Sequence, residues 1–275
     1  EREVGRKLEL LDAYNELGTA CMWVDDWDEC ERYYEKAKLG FEEVLGTESE
    51  KALEVTYSLL CSTGMNEGER IDKLKALVER MVGALGEENV VTLMTLNTLG
   101  NQLKDNGEYE EARKVYERCL AGQEKVLGED HKDTLGTVHN LGTGYHRVKD
   151  YEKALEYYER ASKGMEKLLG KTHPDTLRTV TNIANVYWRL EDYGKAEELY
   201  QRALEGYEAQ LEKDHEDTKR CAGNYRTCLQ DSGNVKRLEE LKKDYPWLDE
   251  ESWLDEESSD ADEESSDDEE AEGDY

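Results

Sequence analysis

Apolar positions recur at helical spacing along most of the chain. Leu135, Val138, Leu141 and Tyr145 share one face, and Ala154, Tyr158 and Ala161 another, the pattern of amphipathic helices rather than strands. The pattern also repeats at a longer interval. Gly128-Glu-Asp-His131-Lys-Asp133-Thr134-Leu135 is answered, 42 residues on, by Gly170-Lys-Thr-His173-Pro-Asp175-Thr176-Leu177. At the same offset Asp150-Tyr151, Ala154, Tyr158, Ala161 and Gly164 return as Asp192-Tyr193, Ala196, Tyr200, Ala203 and Gly206. The frame reaches upstream to Leu99, Gly100, Tyr109, Ala112 and Tyr116, and downstream to His215, Asp217, Thr218, Asn224 and Asn234. Leu17, Gly18, Trp27, Tyr34, Ala37 and Gly40 fit it near the start, and residues 51–84 read as a shortened, degenerate copy. A fixed period of this size is the signature of a stacked repeat protein.

Each unit reads as two helices joined by a short turn. Pro174 suits a first helical position, and Glu108, Asp150, Asp192 and Asn234 stand where a second helix needs an N-cap. The expected fold class is all-α, a solenoid of about six helical hairpins near 3–45, 50–84, 90–127, 132–169, 174–212 and 216–244. These make one repeat domain over 1–245, followed by a disordered acidic tail over 246–275, where charge is dense and apolar residues run out.

Within a hairpin the first helix carries a large residue then a small one (Leu99-Gly100, Leu141-Gly142, Ile183-Ala184). The second carries small, aromatic, small (Ala112/Tyr116/Cys119, Ala154/Tyr158/Ala161, Ala196/Tyr200/Ala203). Small residues let helices approach closely while the aromatics fill the space beyond. This is the tetratricopeptide pattern, with units longer than the usual ~34 residues. With the Leu-Gly-x-x-His-Pro-Asp-Thr type opening and the Tyr-Glu-x-Ala second helix, residues 10–235 resemble the kinesin light chain repeats. Similar units occur in nephrocystin-3-like proteins and in multidomain signalling proteins. The resemblance implies a right-handed tetratricopeptide superhelix. It also implies a cytoplasmic cargo adaptor in microtubule-based transport, associated with the cytoskeleton, with kinesin heavy chain bound through a segment before Glu1. The alternatives are a scaffold of another signalling or ciliary assembly, and a co-chaperone-type carboxylate clamp, for which only Lys104 stands at a groove position.

Charge narrows the partners. The formal net charge is -31, and sixteen of the 67 acids lie in 246–275, which holds no Lys or Arg. An acidic body repels nucleic acid phosphates and anionic membrane surfaces, and no apolar run approaches the ~20 residues of a membrane span. The six Cys lack metal-type spacing and read as reduced thiols. His131, His173 and His215 recur once per unit, which favours a loop residue capping a helix over a metal ladder. Neither a cofactor site nor a catalytic constellation is evident, so an enzyme is not expected.

The informative surface is the inner face of the first helices, which lines the concave groove in tetratricopeptide stacks. It carries Asn97, Asn101 and Lys104, then His139, Asn140, His146 and Arg147, then Arg178, Asn182, Asn185, Trp188 and Arg189, then Arg220 and Asn224. Asn recurs at one frame position (140, 182, 224), although exposed Asn is a poor helix former. Together these residues point to a groove for acidic or Trp-containing peptide segments: Asn for the peptide backbone, Arg for carboxylates. The tail offers such segments itself. Trp247-Leu248 and Trp253-Leu254 are each followed by Asp-Glu-Glu-Ser, and Ser252, Ser259, Ser265 and Ser266 each have an acid three residues on. Trp247 and Leu248 can either cap the last hairpin or act, with Trp253 and Leu254, as an autoinhibitory groove motif.

Overall fold

The computed structural model describes residues 2–249. Among them are twelve α-helices and one 3₁₀ turn, with no strand. They fall into two compact units that divide between Gly170 and Lys171.

The first unit holds α1 (Arg2–Met22), α2 (Trp27–Leu45), α3 (Glu50–Ser62), α4 (Glu67–Leu85), α5 (Val90–Asp105), α6 (Tyr109–Val126), α7 (Lys132–Arg147) and α8 (Tyr151–Leu169). Each helix packs on the next, and α3, α5 and α7 also touch one another in succession. The packing follows the large-small code. A Cβ on Gly18, Gly100 or Gly142 would sit within 3 Å of the ring of Tyr34, Tyr116 or Tyr158 respectively, so only the missing side chain lets the aromatic lie flat on the first helix. A second set of close approaches places Gly122 and Gly164 against Leu93 and Leu135.

The second unit holds α9 (Pro174–Arg189), α10 (Tyr193–Gln210), α11 (Glu216–Asp231), α12 (Val235–Asp244) and the 3₁₀ turn Pro246–Asp249. Its core joins Leu177, Val180, Ala184, Tyr200, Tyr207, Tyr225 and Leu229. The turn closes that core. Tyr245 and Leu248 are buried within it and Trp247 packs against it. The Tyr245 hydroxyl donates to Glu208 Oε1 at 2.5 Å, and Arg226 donates to the Leu248 carbonyl at 2.9 Å. Of the two roles open for Trp247 and Leu248, this placement is the end cap a solenoid terminus needs. Trp253 and Leu254 lie outside the described residues.

Helix starts explain the recurring polar residues. Nδ1 of His131, His173 and His215 accepts the backbone N–H of Asp133, Asp175 and Asp217, each at 3.2 Å. The histidine is therefore the N-cap of each first helix. Asp150, Asp192 and Asn234 cap the second helices in the same way. Glu108 departs from expectation: it occupies the cap position without capping. Its carboxylate instead accepts the Asn106 amide at 2.7 Å, because a glutamate is one carbon too long for the short loop back to its own helix.

Candidate peptide-binding surface

In the first unit the polar positions of α5 and α7 form a ladder. Asn101 Oδ1 accepts from the Tyr116 hydroxyl at 2.6 Å and from Asn140 Nδ2 at 3.1 Å. Asn101 Nδ2 reaches Asn97 Oδ1 at 3.2 Å, and Asn97 Nδ2 donates to Thr137 Oγ1 at 2.8 Å. The second unit repeats the core of this arrangement. Asn185 Oδ1 accepts from the Tyr200 hydroxyl at 2.5 Å and from Asn224 Nδ2 at 3.2 Å. The side chain just after the small residue thus receives the buried Tyr of its own hairpin, as Thr143 also does from Tyr158. At Asn101 and Asn185 it receives an Asn of the following hairpin as well. Burial holds the hydroxyls of Tyr116 and Tyr200 well above the usual tyrosine range, so both remain donors that need an acceptor.

This changes the meaning of the recurring Asn. Recurrence on an exposed helix face argues for a ligand only if nothing in the fold requires it. Asn140 and Asn224 bond the preceding hairpin, and Asn97, Asn101, Asn140, Asn182, Asn185 and Asn224 are all half-buried. His139 is not on the open surface either: it is 7% exposed, with its ring 5.4 Å from that of Tyr158. The phenol partners carried no separate signal in the sequence, since a Tyr fifteen residues from an Asn reads first as core.

The cations remain outward. Arg147, Arg178, Arg189 and Arg220 are exposed. In the first unit Lys104 pairs with Asp105 at 2.9 Å, Arg147 lies over the Tyr109 ring at 5.6 Å, and the His146 ring stands 5.7 Å from Tyr151. In the second unit Arg178 pairs with Asp175 at 3.1 Å and Arg220 with Asp217 at 2.5 Å, each one turn back on its own helix. Trp188 Nε1 donates to Asp231 at 2.8 Å, and Arg189 stacks on the Trp188 indole at 4.5 Å. Asp175, Asp217 and Asp231 place acids on a face that sequence reading assigned mainly to cations and amides. The Asn185–Asn224 and Trp188–Asp231 bonds fix which faces of α9 and α11 adjoin. Arg178 and Arg189 flank Asn185 at seven and four residues, and Arg220 precedes Asn224 by four, so all lie on that same joined face. Surface ion pairs of this kind contribute only about 0–1 kcal/mol, so a ligand carboxylate can exchange for Asp175 or Asp217 at little cost.

Among the described residues no group of three or more His, Cys, Asp or Glu is placed to hold a metal ion. No described helix is long and apolar enough to cross a membrane.

The class these hairpins define is that of a helical repeat scaffold. The tetratricopeptide repeat model matches residues 91–167, 133–209 and 176–236, and the chain belongs to the tetratricopeptide repeat family. No curated protein matches it significantly. Among solved structures it is similar to the nearly identical TPR-like repeats of a candidate kinesin light chain from Podosopora anserina. That likeness has a TM-score of 0.62 and 22% identity, covering 74% of this chain and 98% of the other. It is similar as well to BtubC (BKLC) from P. vanneervenii, with a TM-score of 0.62 and 14% identity over 89% and 90% of the two chains. A signal transduction ATPase with numerous domains and a tetratricopeptide repeat sensor, from Pyrococcus horikoshii, gives a TM-score of 0.67 and 20% identity. There the match covers 91% of this chain and 38% of the other. At these identities the likeness concerns the fold.

Proposed function

We propose that this tetratricopeptide scaffold is a non-enzymatic adaptor that binds acidic, aromatic-containing linear peptides on the inner face of its first helices, in the manner of a kinesin light chain cargo adaptor working in the cytoplasm. The observation that carries the reading is the α9–α11 face. In a chain of net charge -31, Arg178, Arg189 and Arg220 are exposed there around the half-buried Trp188. Arg178 and Arg220 are held by short-range ion pairs that a ligand can replace. Arg forks onto carboxylates, and the indole offers an apolar contact for an aromatic anchor. The carboxylate-clamp alternative has less support, because a clamp needs more than one lysine on the inner face and only Lys104 stands at such a position.

The test compares two labelled peptides by fluorescence anisotropy. One has the acidic sequence of residues 249–258; the other has its Asp and Glu replaced by Asn and Gln. The expected result is binding of the acidic form that weakens with salt, and at least tenfold weaker binding of the amide form. Equal binding of the two would remove the electrostatic reading.

A further inference from the structure

The turn between α1 and α2 differs from its sister turns. Asp25 holds a left-handed backbone at φ 56°, as Gly107 does between α5 and α6 at φ 80° and Lys149 between α7 and α8 at φ 61°. Counting back two residues from that position, α5 and α7 present Asp105 and Arg147, whereas this turn presents Trp23, 86% exposed. Val24 beside it is also exposed, as is Trp27, the first residue of α2. In the hairpin of α5 and α6 the corresponding first residue is Tyr109. It is half-buried, with the guanidinium of Arg147 from the following first helix lying over its ring at 5.6 Å.

The helix that would supply the equivalent cover is α3, and it stops short. It has 13 residues where α5 and α7 have 16, and Thr63 turns out of it with extended backbone. Its last residue, Ser62, comes beside Cys30, one turn into α2, so the missing turn is the one that would reach over Trp27. The surrounding charge is acidic. Asp26 caps α2 and Glu29 pairs with Arg32, while Asp25 and Asp28 have no cation beside them among the described residues. An aromatic seat that takes a cation elsewhere in the same unit is here left open, doubled by Trp23 and ringed with carboxylates.

We propose that the Trp23–Asp28 turn docks a Lys/Arg-rich segment of a partner protein. The cationic side chains stack on Trp23 and Trp27 as Arg147 does on Tyr109, and pair with Asp25 and Asp28. This surface is separate from the arginine face of α9 and α11 and selects the opposite charge, so its test does not depend on that reading.

The probe is a blocked octapeptide of alternating Arg and Gly, titrated into the full chain. The indole N–H resonances of Trp23 and Trp27 are assigned with Trp23→Phe and Trp27→Phe. Non-specific attraction to the acidic chain is common to wild type and to a Trp23→Ala/Trp27→Ala variant, so their affinity ratio isolates the turn. The expected result is movement of the Trp23 and Trp27 signals and roughly five- to thirtyfold weaker binding by the double variant, from two exposed cation–π contacts. Trp23 is almost wholly in water, and Trp27, half exposed at the first position of α2, is replaced by a good helix former, so the far-ultraviolet circular dichroism of the variant should match wild type. Equal affinity with unmoved Trp23 and Trp27 signals would overturn the proposal. So would movement of those signals on raising protein concentration without peptide, which would make a second copy of the chain the occupant.

Discussion

At the scale of single residues, Asn101 separates a structural role from a binding role. Its carboxamide oxygen is the common acceptor of Tyr116 and Asn140. Asn101→Ala should cost about 1–3 kcal/mol, since it leaves two part-buried donors unpaired. Arg178→Ala, which removes an exposed ion pair, should cost no more than about 1 kcal/mol. Urea unfolding of both variants checks this contrast, and a harmless Asn101→Ala would break the ladder argument. The buried thiols and phenols give a second expectation. Burial pushes the thiols of Cys119, Cys221 and Cys228 up from their ordinary range to about 12, and the Tyr57 phenol likewise to about 12. Groups raised on folding stabilise the native state fully below their unfolded values and lose that contribution as pH rises towards the folded ones. Stability measured by urea midpoint should therefore be flat near neutrality with respect to these groups and fall from about pH 9 upward. The three thiols should stay unreactive to a thiol reagent until the chain unfolds. The histidine caps were legible at this scale, because a His once per repeat, three residues before Thr, fits a loop role. The Tyr–Asn bonds were not, because a phenol's oxygen leaves no mark on a hydrophobic period.

At the scale of elements, the hairpins follow from the large-small code. Gly142 lies against the Tyr158 ring with no room for a Cβ. Gly142→Val should therefore cost about 1–3 kcal/mol through overpacking, with the helix content of the folded state kept. The shortening of α3 was visible in outline as a degenerate copy, but its effect on the neighbouring turn needed three dimensions. The end cap is the other element-scale result. Leu248 is 3% exposed within the core of the second unit. Leu248→Ala should cost about 2–5 kcal/mol, seen as a lower urea midpoint for the transition that reports Tyr245 and Trp247. A change within a few tenths of a kcal/mol would mean that the 3₁₀ turn does not close the core. Sequence alone left Trp247 between cap and motif because an aromatic beside acids satisfies both patterns. The buried neighbours, Tyr245 and Leu248, decide where it packs.

At the scale of the whole molecule, charge dominates. A net charge of -31 over 275 residues works against compaction by self-repulsion and steers cationic partners inward. Salt should therefore raise the thermal midpoint of the free chain while weakening any complex held by charge. The repeat class was legible throughout from a 42-residue period, since a solenoid reuses one solution to packing. The proposed binding face was legible only in part. Its arginines stand exposed, but its asparagines bond within the stack, and Asp175, Asp217 and Asp231 share the surface. The most direct measurement is the affinity of the labelled acidic Trp peptide for the full chain against Arg178→Glu/Arg220→Glu. A loss of tenfold or more, with unchanged circular dichroism, is the expected result. Unchanged affinity in the charge-reversed chain would contradict it and move acidic-peptide recognition off the α9–α11 face.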